Sequence, residues 1–159
     1  MIFRTRLGEM DLSGKEIITF EEGIPGFDHL RKFAIISVPR TEPIKWLISL
    51  EDENVALPII DPWIVRPDYH VDIPEKDVRD LEIEKKEDVS VWCVVVVPKD
   101  KPEDATINLL APIVVNMKNG KAKQIIMETD EYTIRHRIKD ELERSKRISS
   151  EKTESAIIQ

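Results

Sequence analysis

One segment, residues 89–97, constrains the fold of this 159-residue chain more than any other part of the sequence. Alternate residues of a β-strand point to opposite faces of a sheet, and in this segment both sets are apolar. Cys93 and Val95 share one face, while Trp92 and Val94 share the other. Such a strand has to be covered on both sides, so we expect it at the centre of a sheet.

Short β-branched segments separated by turn residues predict further strands along the chain. They are residues 17–20, 33–38, 46–50, 55–60, 68–73, 111–117 and 122–127. Asn119 and Gly120, between the last two segments, predict a tight β-hairpin. Pro58 has no amide hydrogen to donate, so its strand is expected at a sheet edge or with a bulge.

The end of the chain has a different pattern, in which Ile134, Ile138 and Leu142 recur at every fourth position. This spacing predicts an amphipathic helix. Oppositely charged residues four positions apart, such as Asp140 and Arg144, are typical of an exposed helix. A second, short helix is expected over residues 74–81, where a proline precedes acidic residues.

These elements predict a mainly β fold, a small antiparallel barrel-like domain with a C-terminal helix. We divide the chain into a single β domain over residues 1–136, a charged helix over 137–148 and a frayed tail over 149–159.

Charge narrows the classes of partner. The chain has 24 Lys and Arg residues against 31 Asp and Glu residues, a formal net charge of −7. This balance repels phosphate backbones and attracts basic proteins, so direct binding to nucleic acid is disfavoured. The longest apolar run, residues 91–97, is far shorter than the roughly 20 residues that span a bilayer, so no membrane association is expected. Since the first residues lack the apolar stretch of a secretion signal, we expect a cytoplasmic protein.

The sequence offers little support for catalysis. Cys93 lies in the middle of the central strand, where burial disfavours the thiolate and blocks access. No serine lies in a Gly-x-Ser-x-Gly turn, and no glycine-rich loop leads into a helix. These absences argue against acyl transfer and nucleotide binding, so we expect neither enzymatic activity nor a cofactor.

One group of residues is compatible with a metal site. Asp68, His70 and Asp72 would share one face of the predicted strand over residues 68–73. One histidine and two carboxylates could bind a divalent metal with open positions for water. A solvated strand face explains the same alternation, and we favour that interpretation, so no metal is expected.

A barrel of this size is also compatible with an oligonucleotide-binding fold, which requires exposed aromatic side chains and a basic groove. Trp63 and Tyr69 are the aromatic residues least explained by a core. They either anchor a partner or pin their loop to the domain, because tryptophan and tyrosine are common at cores and at interfaces.

Three blocks of the sequence, in order, resemble the FliW family of flagellar assembly factors. The first is ITFEEGIPGF at residues 18–27, followed by Phe33. The second is WLIS at residues 46–49, followed by Glu51-Asp52 and then Asp61-Pro62. The third is NLLAPIVVN at residues 108–116, with Gln124 downstream.

The resemblance implies a cytosolic protein without catalytic activity, built as a small barrel-like β domain. Members of the family bind flagellin while it awaits export, and they bind CsrA, a small RNA-binding dimer that represses flagellin translation. When flagellin leaves the cell, the freed protein captures CsrA and relieves the repression. We expect the protein to be monomeric on its own.

The partner-binding residues that the resemblance and the exposed middle block favour form one set. They are Glu51, Asp52, Asn54, Leu57, Asp61, Pro62, Trp63, Tyr69, Asn108, Pro112 and Asn116. The competing interpretation is that the acids cap turns and the asparagines satisfy backbone groups at bends. Leu57 and Pro58 stand where the family commonly has an aromatic residue, and Ile48 replaces a commonly polar one.

Overall fold

The computed structural model describes the backbone of residues 1–158 and the side chains of residues 1–148. The strands, in chain order, are β1 (Ile2–Thr5), β2 (Gly8–Asp11), β3 (Ile18–Phe20), β4 (Lys32–Ile36), β5 (Lys45–Ser49), β6 (Ala56–Ile60), β7 (Val89–Val96), β8 (Thr106–Ile107), β9 (Ile113–Asn116), β10 (Lys121–Gln124) and β11 (His136–Arg137). The α-helices are α1 (Pro62–Val65), α2 (Glu75–Asp80) and α3 (Ile138–Ile158). The predicted mainly β class with a C-terminal helix is confirmed.

Seven strands close into a barrel in the order β7-β6-β5-β4-β3-β10-β9, and the pairing of β7 with β9 completes the circle. The pairs are antiparallel except for β3 and β10, which run parallel. Gly120, in the predicted hairpin between β9 and β10, has a φ of +77°. A Cβ atom there would lie 2.7 Å from the carbonyl oxygen of Ile17, so only glycine lets this turn approach the start of β3.

The barrel interior is filled by the inward-facing half of each strand. Phe20, Phe33, Leu47, Ile59 and Ile113 have no exposed surface and pack together there. Burying these five large side chains in one cluster stabilises the domain, since each fully buried apolar side chain contributes roughly 1.5–3 kcal/mol.

The outward faces of several strands are also apolar, and other elements cover them. The β1–β2 hairpin lays Phe3, Met10 and Leu12 over Ala34 and Ile48. Ile48 is completely buried although it lies outside the barrel. Its apolar character, a departure from the family pattern, therefore matches a covered outer face.

The central strand β7 is covered on both faces from Val89 to Val95, as its sequence predicts, whereas Val96 at its end is exposed. Trp92 and Val94 face the barrel interior. Cys93 and Val95 face outward into a second cluster that contains Tyr69. Both faces are covered because the side chains on each of them are apolar, and apolar surface is less stable in contact with water.

Pro58 changes the sheet in a more local way than predicted. Its strand, β6, is not an edge strand, because it lies between β5 and β7. In the described chain, however, the register between β6 and β7 covers Ile59 and Ile60 and stops before Pro58. The missing amide hydrogen thus ends one ladder rather than placing the whole strand at an edge.

One predicted strand does not form. Residues 68–73 are a turn followed by irregular chain. The backbone amide of His70 donates to the Tyr132 hydroxyl at 3.0 Å instead of to a neighbouring strand. Polar and apolar residues do alternate in this segment, but none of the described strands pairs with it.

The C-terminal helix is longer than the sequence predicts. It begins at Ile138, directly after β11, and its backbone continues to Ile158 rather than ending at residue 148. The tail predicted over 149–159 is thus helical as far as residue 158, and Gln159 lies outside the described residues. None of the helices described over residues 1–158 has the length and apolar character needed to cross a membrane.

Candidate functional site

The turn after β5 contains three of the predicted contact residues, and their polar groups are bonded within the chain. Glu51 Oε1 accepts the backbone N–H groups of Arg31 at 2.6 Å and Lys32 at 2.8 Å. The bond from Lys32, followed by that from Arg31, holds the pKa of the Glu51 carboxyl below its usual value. Asp52 Oδ1 accepts the N–H of Asn54 at 2.9 Å. Asp52 therefore caps its own turn, whereas Glu51 connects this turn to the start of β4.

The third sequence block is used inside the protein. Asn116 is buried, and its amide donates to the carbonyl oxygens of Leu81 at 2.9 Å and Glu82 at 3.2 Å. Asn108 Oδ1 accepts the N–H of Ala111 at 3.0 Å. Both asparagines therefore satisfy backbone groups at bends.

Pro112, from the same block, is buried as well. Its carbonyl oxygen accepts the N–H of Ile125 at 2.9 Å. The bond ties the start of β9 to the chain that leaves β10, so Pro112 contributes to the architecture of the barrel.

An exposed apolar patch lies where the β6–β7 register ends. Val96 and Val97, at the end of β7, keep 60% and 43% of their surface exposed. Ala56, Leu57 and Pro58 of β6 lie beyond the last residue paired with β7. The Leu57 side chain packs against the interior cluster and Ala56 packs on the cluster outside the barrel, so Val96 and Val97 provide the exposed side chains. We call these five residues the edge patch.

A second apolar patch lies at the other end of β6. Asp61 caps α1 by accepting the N–H of Trp63 at 2.9 Å, and the buried Pro62 occupies the first helical position. Trp63 and Ile64 keep 39% and 49% of their surface exposed. We call these two exposed side chains the α1 shelf.

Tyr69 supports the α1 shelf from below. Its carbonyl oxygen accepts the N–H of the Trp63 indole at 3.0 Å, and the two ring centroids are 5.9 Å apart. Its hydroxyl donates to the carbonyl oxygen of Leu109 at 2.6 Å. Burial, reinforced by Cys93, raises the pKa of the Tyr69 phenol well above its usual range. Tyr69 is thus an internal support, and Trp63 is the aromatic residue that reaches solvent.

Helix α3 contacts the chain just after the α1 shelf. The Arg144 guanidinium donates to both carboxylate oxygens of Asp68, at 2.8 and 2.7 Å. Because of this bidentate bond, the pKa of Asp68 is lowered to about 2. Glu141 is buried and lies 2.9 Å from His136 Nδ1 and 3.6 Å from Arg66 Nη1. The sequence had paired Arg144 with Asp140 along the helix, whereas the structure pairs it across the fold.

The three candidate metal ligands do not converge. Asp68 is occupied by Arg144, while His70 Nε2 lies 2.9 Å from Asp72 Oδ1 at an exposed position. Within the described part of the chain, no three His, Cys, Asp or Glu side chains form a metal-binding group. The shared strand face on which the hypothesis depended does not exist.

Cys93 is shielded from chemistry. It is completely buried, and burial raises the pKa of its thiol to about 12. A thiol of this kind is neither a nucleophile nor a metal ligand at neutral pH.

Several exposed residues were missed by sequence reasoning. Ile64, Val96 and Val97 were assigned to no site, because an apolar residue in or beside a strand or helix indicates a core when only local pattern is considered. Pro58 was the available signal for the edge patch, since it marks the place where a ladder has to stop.

Comparison with known proteins decides the family. The model of the FliW protein family matches residues 1–138, which is most of the chain. The chain belongs to the FliW family. The flagellar assembly factor FliW of Thermosipho africanus is 56% identical over 140 residues, which cover 88% of this chain and 97% of that protein. That of Pseudothermotoga lettingae is 53% identical over 145 residues, which cover 91% and 92%.

A solved structure agrees with the sequence comparison. A crystal structure of the flagellar assembly factor FliW superposes with a TM-score of 0.80 at 29% identity, covering 87% of this chain and 96% of that one. These FliW proteins carry the name of an assembly factor and not of an enzyme. The family model ends at residue 138, whereas the match to the Pseudothermotoga protein spans 145 residues of this chain and so includes the first turns of α3.

Proposed function

We propose that this FliW-family protein is a cytoplasmic regulator of flagellar assembly that binds flagellin and the translational regulator CsrA in turn. While flagellin is retained, it occupies the protein. When flagellin is exported, the freed protein captures CsrA and relieves the repression of flagellin translation. Mass action sets the direction of the switch, because the partner in excess shifts the equilibrium towards its own complex.

The observation that carries this proposal is the pair of exposed apolar patches at the two ends of β6. The edge patch precedes Ile59, and the α1 shelf follows Ile60. A five-residue strand is roughly 15 Å long. A standard interface of about 800 Å² per partner is roughly 30 Å across, so two proteins centred on these patches would collide. Mutual exclusion then requires no shared contact residue.

The edge patch fits an extended apolar segment. Ser49 donates its N–H to the carbonyl oxygen of Val55, so Val55 directs its backbone groups towards β5. Leu57, two positions further along the strand, does the same. Ala56 directs its N–H and C=O the other way, towards the side where the β7 register has ended. An extended tail of CsrA could add there as a strand, with Val96 and Val97 contacting its side chains. The α1 shelf is then left for flagellin.

Charge supplies a mechanism for antagonism. A protein of net charge −7 docked on a basic RNA-binding dimer brings negative potential close to the RNA site. RNA would be expelled by repulsion even where the two surfaces do not overlap. Salt weakens such repulsion, since the Debye length shrinks from about 30 Å at 0.01 M to about 10 Å at 0.1 M.

A gel-shift assay with flagellin leader RNA tests the function. The protein alone should leave the RNA unshifted, should release it from CsrA, and should release less as salt rises. Adding flagellin should restore the CsrA–RNA complex. A shift by the protein alone would favour an oligonucleotide-binding barrel instead. Release that does not change with salt would rule out electrostatic expulsion.

A variant of the edge patch tests the assignment of CsrA. Val96→Asp places a charge among apolar contacts and should weaken CsrA binding at least fivefold, the effect expected at a residue that contributes about 1 kcal/mol or more. Ile126→Asp is the matched control, because Ile126 is a comparably exposed apolar residue in neither patch. Equal affinities of the two variants would contradict the assignment.

A further inference from the structure

Helix α1 is too short to hold its own shape. It has four residues, Pro62–Val65, and isolated helices shorter than about 12–15 residues are marginal in water. Its position must therefore come from surrounding contacts. Asp61 caps its start, and the Arg66 N–H bonds the Pro62 carbonyl oxygen at 2.8 Å at its end.

Three side chains of α3 reach the residues that directly follow the α1 shelf. Arg144 donates two hydrogen bonds to the Asp68 carboxylate. Glu141 lies 3.6 Å from Arg66 Nη1, and Ser145 Oγ lies 3.3 Å from the Val65 carbonyl oxygen and 3.0 Å from that of Glu141, which share its one proton. The contacts fall on one side of α3, since positions three and four apart share a helix face. Helix α3 thus holds the end of α1 and the turn behind it.

These contacts connect to the exposed side chains through Tyr69. Asp68, which accepts the hydrogen bonds from Arg144, directly precedes Tyr69 in the chain. The Tyr69 carbonyl oxygen in turn accepts the indole N–H of Trp63. Any shift of the Asp68 backbone is therefore transmitted within one residue to the support of the shelf.

Two buried atoms in this cluster have no hydrogen-bond partner among the described residues: Arg66 Nε and Glu141 Oε2. Arg66 Nε lies 3.6 Å from Asp68 Oδ1, beyond hydrogen-bond distance. Unsatisfied buried polar atoms carry a desolvation cost, which offsets part of the stabilisation that the ion pairs of the junction supply. We therefore expect the loss of one of these ion pairs to change the geometry of the junction more than the stability of the barrel.

We infer that helix α3 positions the α1 shelf for partner binding, with Arg144, through its bidentate contact with Asp68, as the main positioning residue. This inference rests on the proposed function, because it assigns the shelf a partner. It places control of affinity in a helix that continues beyond the end of the family model at residue 138. The shelf residues contact the partner, and Arg144 acts through them.

The test compares Arg144→Gln and Asp68→Asn with Arg147→Gln, which removes an exposed arginine three residues further along α3. All variants are made in the full chain. Hydrogen exchange of the Arg66 and Tyr69 amides reports the shelf support, since both amides are bonded within this turn. Titration with flagellin reports binding. The midpoint of thermal unfolding reports the barrel.

We expect Arg144→Gln and Asp68→Asn to accelerate exchange at both amides and to weaken flagellin binding roughly two- to fivefold, the range of a partly exposed ion pair. The unfolding midpoint should stay close to that of the parent protein, and Arg147→Gln should match the parent in all three measurements. The double variant should be no worse than either single one, because both remove the same contact. Arg144→Lys, which keeps the positive charge but cannot make the bidentate contact with Asp68, should recover part of the affinity.

Unchanged exchange in Arg144→Gln would overturn the inference. Faster exchange with unchanged flagellin affinity would also overturn it, and would show that the shelf is not the binding surface. Absence of flagellin binding by the parent protein would instead contradict the proposed function, and the exchange data would then still report on the junction between α1 and α3.

Discussion

Inside the barrel, Phe20, Phe33 and Leu47 have no exposed surface, whereas Trp63 and Ile64 on α1 remain substantially exposed. The interior is held by apolar contacts among strands that are paired on both sides. At the α1–α3 junction, Val65 and Ile138 share an apolar cluster, and polar contacts between segments far apart in the chain are added to it. The interior therefore depends on apolar burial alone, whereas the junction also depends on charged and hydrogen-bonded groups.

The two regions therefore have different roles: the barrel interior provides stability, and the α1–α3 junction provides a binding geometry. Apolar burial contributes most of the free energy of folding, and it tolerates little change in volume. Charged contacts at a surface contribute little to stability, but they fix the geometry of the groups they join. We therefore expect substitutions of buried apolar residues to change stability, and substitutions of the exposed or charged side chains of α1 and α3 to change binding.

The largest effect on stability is expected for Phe33→Ala. The Phe33 ring packs edge-to-face against Phe20 at a centroid distance of 5.3 Å, with no access to water. Truncating a buried phenylalanine costs about 3–5 kcal/mol of the free energy of unfolding. Urea denaturation measures this loss. A cost below about 1 kcal/mol, similar to that of an exposed-site change, would mean that the barrel interior is not the main source of stability.

A smaller loss is expected for Asn116→Ala. The change removes both contacts of the Asn116 amide and the acceptor for the Lys118 N–H, and leaves the Leu81 carbonyl oxygen with only the longer bond from Asn119, at 3.2 Å. The cost should be about 1–3 kcal/mol. Asn54→Ala is the matched control, since its exposed side chain should contribute less than about 0.5 kcal/mol. Equal costs would contradict the structural role assigned to Asn116.

The smallest effect concerns pH. The pKa of Asp68 is lowered from 3.8 to about 2 in the folded protein. The charged carboxylate therefore stabilises the folded state relative to the unfolded one. This contribution is present above about pH 4 and is lost as the pH falls towards 2. Asp68→Asn removes it, and the stabilities of the two proteins should converge at the acid end. The difference is small because the carboxylate is half exposed. A difference that stays constant from about pH 6 to pH 2 would contradict this linkage.

Much of the fold could be predicted because its signals are local. The two apolar faces of β7, the hairpin at Gly120 and the helical spacing in α3 depend only on nearby residues. The segment 68–73 shows the limit of such signals. Its alternation was real, but a strand also requires a neighbour, and the backbone there bonds the Tyr132 hydroxyl instead.

The candidate site was less predictable than the fold. Eleven residues were expected to contact partners, and the polar ones include Glu51 and Asn116, whose hydrogen bonds lie within the chain. Their residue types fit both roles, so sequence alone could not separate them. The exposed residues of the edge patch depend on where the β6–β7 register ends, and Arg144 depends on a contact 76 positions away. Neither relation is visible in a local pattern.

One measurement tests the separation of stability from binding most directly: titration of flagellin into Ile64→Asp, with thermal unfolding of the same sample. We expect the affinity to fall by about tenfold or more while the free energy of unfolding changes by less than about 0.5 kcal/mol. Ile126→Asp should leave both quantities unchanged. Affinity for flagellin that is the same in Ile64→Asp, Ile126→Asp and the parent protein would contradict the claim that the α1 shelf binds a partner.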